Sequence, residues 1–348
     1  MKKSRVLVAM SGGVDSTACA RDVLDAGYEA VGVTMRLCDA ESDVCSDARR
    51  VCDMLGIEHR ALERTAAFSR EVITPFINSY ERGETPNPCI FCNRTQKFGA
   101  LLDLADALGC EKLATGHYAR VEFDEASGRY LLKKAKNARK DQTYVLYFLS
   151  QSQLARVLFP LGEYESKDAV RARVAELSLP NAGQKDSQDI CFIPDGDYAA
   201  FIEKCTKKSY PCGNFVDTEG RVLGRHLGAH RYTVGQRKGL GIALGEPMYV
   251  KGKDVEMGAV ILCRDAELYT NECTVNKASF IPFDTLTVPM RASVKTRYSA
   301  KEVPATLTPL EGGRVHVLFD EPVRAITPGQ AAVFYDGDLV LGGGTIEK

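Results

Sequence analysis

Two cysteines stand three residues apart in PNPCIFCN, where Pro86 and Pro88 stiffen the chain just ahead of Cys89 and Cys92, and a third, Cys191, lies in KDSQDICFIP. A thiolate is a strong nucleophile and a soft metal ligand, whereas an unperturbed thiol near pKa ~8.5 is only a few per cent ionised at neutral pH. Arg94 and Lys97 follow Cys92 closely, and cations there are expected to lower its pKa. Three thiols, two of them in a C-x-x-C spacing, suit holding three irons of a [4Fe–4S] cluster and leaving the fourth iron open for sulfide. Zinc is disfavoured, because three thiolates with no paired histidine nearby leave its site incomplete.

The hexapeptide SGGVDS at residues 11–16 is the second chemical feature. Gly12 and Gly13 permit a tight turn and a close backbone approach to a ligand, and free N–H groups at the start of a following helix make an anion site suited to phosphate. The stretch lacks the G-K-[ST] ending of a Walker loop and the G-x-G-x-x-G spacing of dinucleotide folds. No lysine in it reaches for a γ-phosphate.

These residues need a frame. The run RVLVAM (residues 5–10) is continuous and apolar, as in a strand buried on both faces of a parallel sheet. Residues 16–26 have helical spacing and end at Gly27, a suitable C-cap. EAVGVTM (29–35) reads as a second buried strand, followed by a helix at about 42–55, a strand at IEHRAL (57–62), a long helical stretch and a strand at KLATGH (112–117). Strands alternating with helices of this length predict right-handed crossovers and an α/β fold with a doubly wound parallel sheet. From about Pro194 the pattern turns to short alternating segments with Gly, Pro and Asp turns, which predicts smaller β-rich domains. Cys38, Cys45 and Cys52 recur every seven residues; helical spacing sets Cys45 and Cys52 on one face, so core packing is expected of this trio rather than a metal site.

A chain of 348 residues is too long for a single core and predicts two or three domains. With 45% hydrophobic and 26% charged residues it has the composition of a soluble globular protein. No apolar run approaches the ~20 residues that cross a bilayer, and the start MKKSRVLVAMSGG reaches glycine too soon for a signal peptide, so a cytoplasmic protein without membrane contact is expected. Its 12 cysteines fall well short of a disulfide scaffold. The net charge of −1 hides an asymmetry: residues 127–173 carry ten Lys/Arg against four Asp/Glu, residues 201–240 eight against three, and residues 241–348 eleven against fourteen. Positive charge gathered mid-chain can present a phosphate-binding face, and Arg297 beside Tyr298 couples a cation to a ring that can stack on a base.

SGGVDS directly after a buried strand resembles the PP-loop of ATP pyrophosphatases, which hold the pyrophosphate part of ATP and release AMP. Together with PNPCIFCN, TGHYAR, KDQTYVLYFLSQ, KDSQDICFI, YTVGQRKGLG and PVRAITPGQAAVFY, in that order over essentially the entire chain, it resembles the bacterial tRNA-specific 2-thiouridylases. The resemblance implies a PP-loop adenylation and sulfur-transfer domain at 1–195, a central β-rich tRNA-contacting domain at 196–270 and a C-terminal β-barrel-like domain at 271–348. It implies that ATP adenylates the C2 oxygen of the wobble uridine in tRNA of the Lys, Glu and Gln types. Persulfide or sulfide sulfur, from a cysteine desulfurase or a relay protein, then displaces AMP.

By position, the resemblance gives ATP to Ala9, Met10, Ser11, Gly12, Gly13, Val14, Asp15 and Ser16, with Mg²⁺ at Asp15 and Ser16, Met35 near the adenine and Gly116 at a strand end where open sheets bind ligands. Cys92 becomes the nucleophile and Cys191 the persulfide carrier. Asn87 and Pro88 approach the target base, and His117, Lys140, Asp141, Gln142, Arg297, Tyr298 and Gln330 contact tRNA. Two residues depart from the pattern. Cys89 stands where many relatives carry an Asp that acts as general acid/base near the uracil, a role a thiol does not fill with the same pKa, and here the cluster and the cysteine-only chemistry both stay open. Asp189 stands where relatives usually have glycine, and a carboxylate two residues before Cys191 can raise its pKa. Two other functions share the loop: a PP-loop amide-forming ligase, which has no use for Cys92 and Cys191, and a tRNA-binding or sulfur-carrier protein without turnover.

Overall fold

The computed structural model describes residues 4–38, 44–177 and 190–347. Seven strands open the chain: β1 (Arg5–Ala9), β2 (Glu29–Arg36), β3 (Glu58–Glu63), β4 (Lys112–Ala114), β5 (Ala119–Asp124), β6 (Arg129–Lys134) and β7 (Val157–Leu158). Five of them make a parallel sheet in the order β3-β2-β1-β4-β7. Val6, Leu7 and Val8 are fully buried, as a strand covered on both faces requires. The helix Val14–Asp25 starts two residues earlier than its apolar spacing predicts, with extended Gly13 as its N-cap, and it lays Ala18, Cys19, Ala20 and Val23 on the sheet. The helix Val44–Leu55 matches the second predicted one within the described residues.

The order of the strands decides where a ligand binds. The chain winds outward from β1 through β2 to β3, then returns to place β4 on the other side of β1. Crossovers diverge between β1 and β4, and the carboxyl ends of these strands therefore open a crevice.

The long helical stretch before β4 is two helices. One runs through Thr65–Phe68, Ser69–Ile73 and Thr74–Glu81, and the other through Pro88–Cys92, Asn93–Ala100 and Leu101–Ala107; the middle piece of each is wound as π. They are separated at Gly83, whose φ is +81°, and by a segment in which Pro86 and Pro88 have no N–H to continue a helix. π-wound turns interrupt the regular ladder and recur at functional sites; here the second follows Cys92 directly.

Beyond β7 come β8 (Gly213–Val216), β9 (Val222–His226), β10 (Tyr249–Asp254) and β11 (Ala259–Cys263), a four-stranded sheet ordered β10-β11-β8-β9. Strands β12 (Tyr269–Phe280), β13 (Met290–Lys295), β14 (Val303–Leu310), β15 (Arg314–Arg324), β16 (Ala331–Asp336) and β17 (Leu339–Ile346) are antiparallel and close on themselves through β12 and β17. Closure of this six-stranded barrel leaves no free edge among its own strands.

Sequence contiguity and spatial contiguity part at one place. The β5–β6 hairpin leaves the parallel sheet and joins the barrel through Leu339 opposite Lys133, a pairing that the ion pairs Arg120–Asp338 and Lys134–Glu302 reinforce. One apolar core spans both layers: Leu7, Val31, Phe98 and Leu113 share it with Tyr144, Tyr147, Val333 and Tyr335. The stretch KDQTYVLYFLSQ is largely the seam of this core, and the buried Tyr144 hydroxyl donates to Ala331 O at 2.8 Å.

Candidate active site

A cavity of about 830 Å³ opens at the carboxyl ends of β1 to β4, where the strand order requires it. Its walls include Ser11, Asp15 and Ser16 after β1, Met35, Leu37 and Cys38 at the end of β2, Glu63 and Thr65 after β3, and Thr115, Gly116 and His117 after β4, with Lys97, Gln142 and Cys191 reaching in from elsewhere.

Ser16 organises the loop. Its Oγ donates to Gly13 O at 3.0 Å and accepts from the Ser11 N–H at 3.2 Å. Gly12 holds φ +76°, and a Cβ there would stand 2.7 Å from Asp47 Cβ, so only glycine lets the loop lie against the start of the helix Val44–Leu55. Gly116 lies close to the same loop: a Cβ on it would meet the Asp15 backbone at 3.2 Å, so the loop would have to give slightly to accept a side chain. Ala9, Met10 and Met35 lie at this end, and Met10 is nearly fully buried, its N–H bonded to Val33 O at 2.8 Å. Asp15 is gripped from outside the loop: Lys167 Nζ lies 2.6 and 2.7 Å from its two oxygens, and the Tyr118 hydroxyl donates to Oδ1 at 2.7 Å. Sequence reasoning missed both partners. No local signal links Lys167 to Asp15, 152 residues away, whereas Tyr118 sits inside TGHYAR beside the histidine that drew attention.

The thiols converge from two directions. Asn87 caps the helix Pro88–Cys92 by accepting the Cys89 N–H at 3.0 Å, and Pro88 fills its first turn, where no N–H is needed. Cys89 is exposed, and one turn on Cys92 is buried, only 9% exposed, in an apolar cluster with Phe68 and Val72. Phe192 packs into the same cluster, its ring 5.6 Å from that of Phe68, and so brings the neighbouring Cys191 to the cavity wall. Cys191 is exposed there, yet crowding by protein, then by Cys92 and Cys89, pushes its thiol up to about 11.

This corrects an expectation. Lys97 does pull on the Cys92 thiol, but burial outweighs it and the pKa is raised; Arg94 instead places its guanidinium 4.8 Å from the centre of the Phe148 ring. The three thiols therefore rest protonated at neutral pH. A second correction concerns Cys38. Cys45 and Cys52 are buried as expected, but Cys38 is exposed on the cavity wall. Asp189 lies outside the described residues.

Among the described residues no three Cys, His, Asp or Glu side chains are grouped so as to hold a metal ion. Cys89, Cys92 and Cys191 are neighbours without forming such a ligand set, and the [4Fe–4S] alternative gains no support from their arrangement.

The residues given to tRNA differ in exposure. Tyr298 is exposed, its ring under Lys295 Nζ at 5.6 Å and its hydroxyl directed to Asp141 O at 3.3 Å; Lys140, which directly precedes Asp141 and Gln142 in the sequence, is half-exposed. Several have partners within the protein. Arg297 donates to Val234 O, Ala325 O and the Thr327 hydroxyl. Asp141 accepts from Ala135 N–H and the Thr143 hydroxyl, and Gln142 accepts from Tyr118 N–H at 3.0 Å. Gln330 donates to Thr85 O at 2.7 Å, which ties the barrel to the segment leading into PNPC. His117 is buried, with Nδ1 2.7 Å from the Thr115 hydroxyl. Lys295 was not singled out from the sequence; its only signal was a position two residues before the Arg-Tyr pair.

Similarity to known proteins follows the same plan. The first 195 residues match the family described as the tRNA methyl transferase HUP domain (residues 4–195), followed by its PRC-barrel domain (199–264) and the aminomethyltransferase β-barrel domain (270–346). The chain is 49% identical to the tRNA-specific 2-thiouridylase MnmA of Acetivibrio thermocellus, with both chains covered completely. It is 49% identical to that of Moorella thermoacetica, covering 98% of this chain and 99% of the other, and 45% identical to that of Clostridioides difficile, covering 99% and 98%. No helix among the described residues is long and apolar enough to cross a membrane. With identity of this order running from end to end through a PP-loop sheet, a PRC-barrel domain and a closed β-barrel, the chain belongs to the tRNA-specific 2-thiouridylase family.

Proposed function

We propose that this chain is a cytoplasmic, ATP-dependent tRNA uridine 2-sulfurtransferase, acting on the wobble uridine of tRNA of the Lys, Glu and Gln types, with adenylation and sulfur transfer in 1–195 and tRNA contacts spread over 196–270 and 271–348. The observation that carries the reading is that Cys191 opens onto the same cavity as Asp15, Ser16 and Gly116. One cavity can then activate an oxygen and deliver the sulfur that replaces it.

The C2 oxygen of uridine attacks the α-phosphorus of ATP, and the bridge to the β-phosphate breaks with its electron pair leaving on pyrophosphate. Residues 11–16 bind that leaving group through backbone N–H groups at the helix start. Asp15 and Ser16 offer the oxygen donors that a hard cation takes, and Mg²⁺ bound there would neutralise phosphate charge. Sulfur received from a cysteine desulfurase or relay protein rides on Cys191 as a persulfide. Either its terminal sulfur attacks C2 and Cys92 then attacks the Cys191 sulfur, breaking the S–S bond and forming the Cys92–Cys191 disulfide, or Cys92 attacks the inner sulfur first, forms that disulfide and releases sulfide to attack C2; a thiol reductant then restores the pair. The C2–O bond then breaks with its electrons leaving on AMP. Tyr298, with Lys295 above its ring, offers a stacking platform near Cys89.

The test is reconstitution: unmodified tRNA, MgATP, cysteine, a desulfurase and the purified chain, with 2-thiouridine measured by mass spectrometry of digested tRNA. ATP–pyrophosphate exchange that depends on a small carboxylic acid rather than tRNA would instead identify an amide-forming ligase. Tight tRNA binding without any AMP would identify a carrier.

A further inference from the structure

Lys97 is a cation whose charge nothing described cancels. Among the described residues it forms no ion pair, and its one hydrogen-bond partner is His117, whose Nε2 lies 3.4 Å from Nζ. His117 is enclosed by Phe98 and Phe159, with ring centres at 5.6 and 6.0 Å, and burial holds it well below the usual imidazole range. The ring is therefore neutral: Nε2 accepts from Lys97, and Nδ1–H donates to the Thr115 hydroxyl. A neutral acceptor orients an ammonium without neutralising it.

The other charges on the wall have opposite charges beside them. Asp15 is held by Lys167, and Arg36 lies close enough to Glu63 to lower its pKa, while Glu63 also accepts from the Thr65 hydroxyl at 2.6 Å. An unneutralised ammonium facing a cavity of about 830 Å³ is an anion site. Its place along the cavity narrows which anion. The pyrophosphate end belongs to residues 11–16, while Lys97 borders the thiols: it is the positive charge felt by Cys89, Cys92 and Cys191 alike. Between the pyrophosphate and the carbon that receives sulfur lies one phosphorus, the α-phosphorus.

We infer that Lys97 is a catalytic residue that contacts the α-phosphate of ATP and of the uridine adenylate. It stabilises the charge gathering on the non-bridging oxygens as the uridine oxygen bonds to phosphorus and pyrophosphate departs, and it holds the AMP group as the C2–O bond breaks. His117 and Thr115 act as positioning residues that aim the ammonium. This role rests on the adenylation chemistry proposed above.

The test is single-turnover pyrophosphate release by the full chain with unmodified tRNA, ATP and Mg²⁺ and no sulfur donor, comparing wild type with Lys97→Met, Lys97→Gln and Lys97→Arg. Removing one preorganised donor from a developing oxyanion typically costs ~10²–10³ in rate. The neutral variants should lose about that much while tRNA affinity stays within about twofold, and Lys97→Arg should recover at least tenfold of the loss. Replacing a non-bridging α-oxygen by sulfur supplies a readout that a merely structural lysine would not move: with ATPαS, the slowing seen in wild type for the more sensitive diastereomer should shrink at least tenfold in Lys97→Met. A pyrophosphate-release rate within threefold of wild type in both neutral variants, or an unchanged thio effect with both diastereomers, overturns the role. Absence of tRNA-dependent pyrophosphate release in wild type itself would instead overturn the adenylation reading on which it rests.

Discussion

The Lys167 ammonium bridges both carboxylate oxygens of Asp15, at 2.6 and 2.7 Å, from the first turn of the helix Lys167–Val174. The lysine side chain is only 13% exposed and the aspartate 32%, and with the Tyr118 hydroxyl as third member this cluster fixes the direction in which Asp15 faces the cavity. The helix Val14–Asp25 and the helix Lys167–Val174 are thereby joined next to the loop; Arg173 extends the same seam to Asp22 at 2.7 Å.

Breaking that cluster should act on the loop before it acts on the fold. Lys167→Met leaves a carboxylate with only the tyrosine, and hydrogen bonds to charged groups are worth ~1.5–3 kcal/mol. A destabilisation of that size is expected by denaturant unfolding, together with a higher Mg²⁺ requirement for AMP formation. An unchanged Mg²⁺ requirement would mean that Lys167 does not control Asp15.

Adenylation and sulfur transfer should separate by mutation. Asp15→Ala should abolish tRNA-dependent pyrophosphate release, because it removes the carboxylate of the pyrophosphate loop. Cys191→Ser should stop thiolation and still release at least one pyrophosphate per enzyme, with the AMP group left on the uridine. Loss of pyrophosphate release in both variants would contradict the order of steps.

The raised thiols set a pH dependence. A thiol reacts as its thiolate, and Cys191, pushed up to about 11, is almost wholly protonated near pH 7. Its alkylation by iodoacetamide should be slow at that pH and rise about tenfold per pH unit through pH 10. Peptide mapping of the alkylated protein gives the rate at Cys191; a plateau below pH 9 would show that an ordinary or lowered pKa prevails.

How much of this was legible is best judged from individual residues. The parallel sheet was readable because Val6, Leu7 and Val8 had to be buried on both faces, and the loop because glycines and a helix start carry a local signature. Cys92, Cys191 and Gly116 were legible through motifs. Lys167 was not, since an ion pair across 152 residues leaves no periodic trace. Nor was the break in the helical stretch fixed from its apolar pattern, although Gly83 and the two prolines mark it afterwards. Arg297 shows the limit of local reading: a cation beside an aromatic reads as a nucleic-acid contact, and nothing in the pair signals its acceptors Val234 O, Ala325 O and Thr327, supplied by elements remote in sequence.

Salt dependence should expose that difference. Removing one cation that pairs with a tRNA phosphate lowers the slope of log K against log salt by about 0.7–0.9. Lys140→Ala should do so in tRNA binding, whereas Arg297→Ala, which removes a brace between the segment at Val234 and the barrel, should lower thermal stability and leave the slope nearly unchanged. Gln142→Ala should leave the slope unchanged as well. A slope that falls for Arg297→Ala at constant stability would return that residue to the tRNA face.

Cys89 is the last test, because there the chain departs from the Asp that many relatives carry. The thiol is exposed, at the start of the helix that carries Cys92, and its pKa is raised, chiefly by the crowding of neighbouring protein. A group of that acidity is a poor proton acceptor near neutral pH, whereas a carboxyl is ionised. If the chemistry runs on thiols and persulfides alone, Cys89→Asp should remain active, because it restores a proton-transfer group beside the target base, and its activity should extend to lower pH than wild type. Iron-free wild type, prepared anaerobically and supplied with desulfurase, cysteine, ATP and Mg²⁺, should thiolate tRNA fully. Activity that instead tracks about four irons per chain, and disappears with the visible absorption in Cys89→Ala, would establish a cluster held by Cys89, Cys92 and Cys191. That outcome would require the three thiols to draw together from the positions they occupy, with Cys92 leaving its apolar cluster beside Phe68 and Phe192.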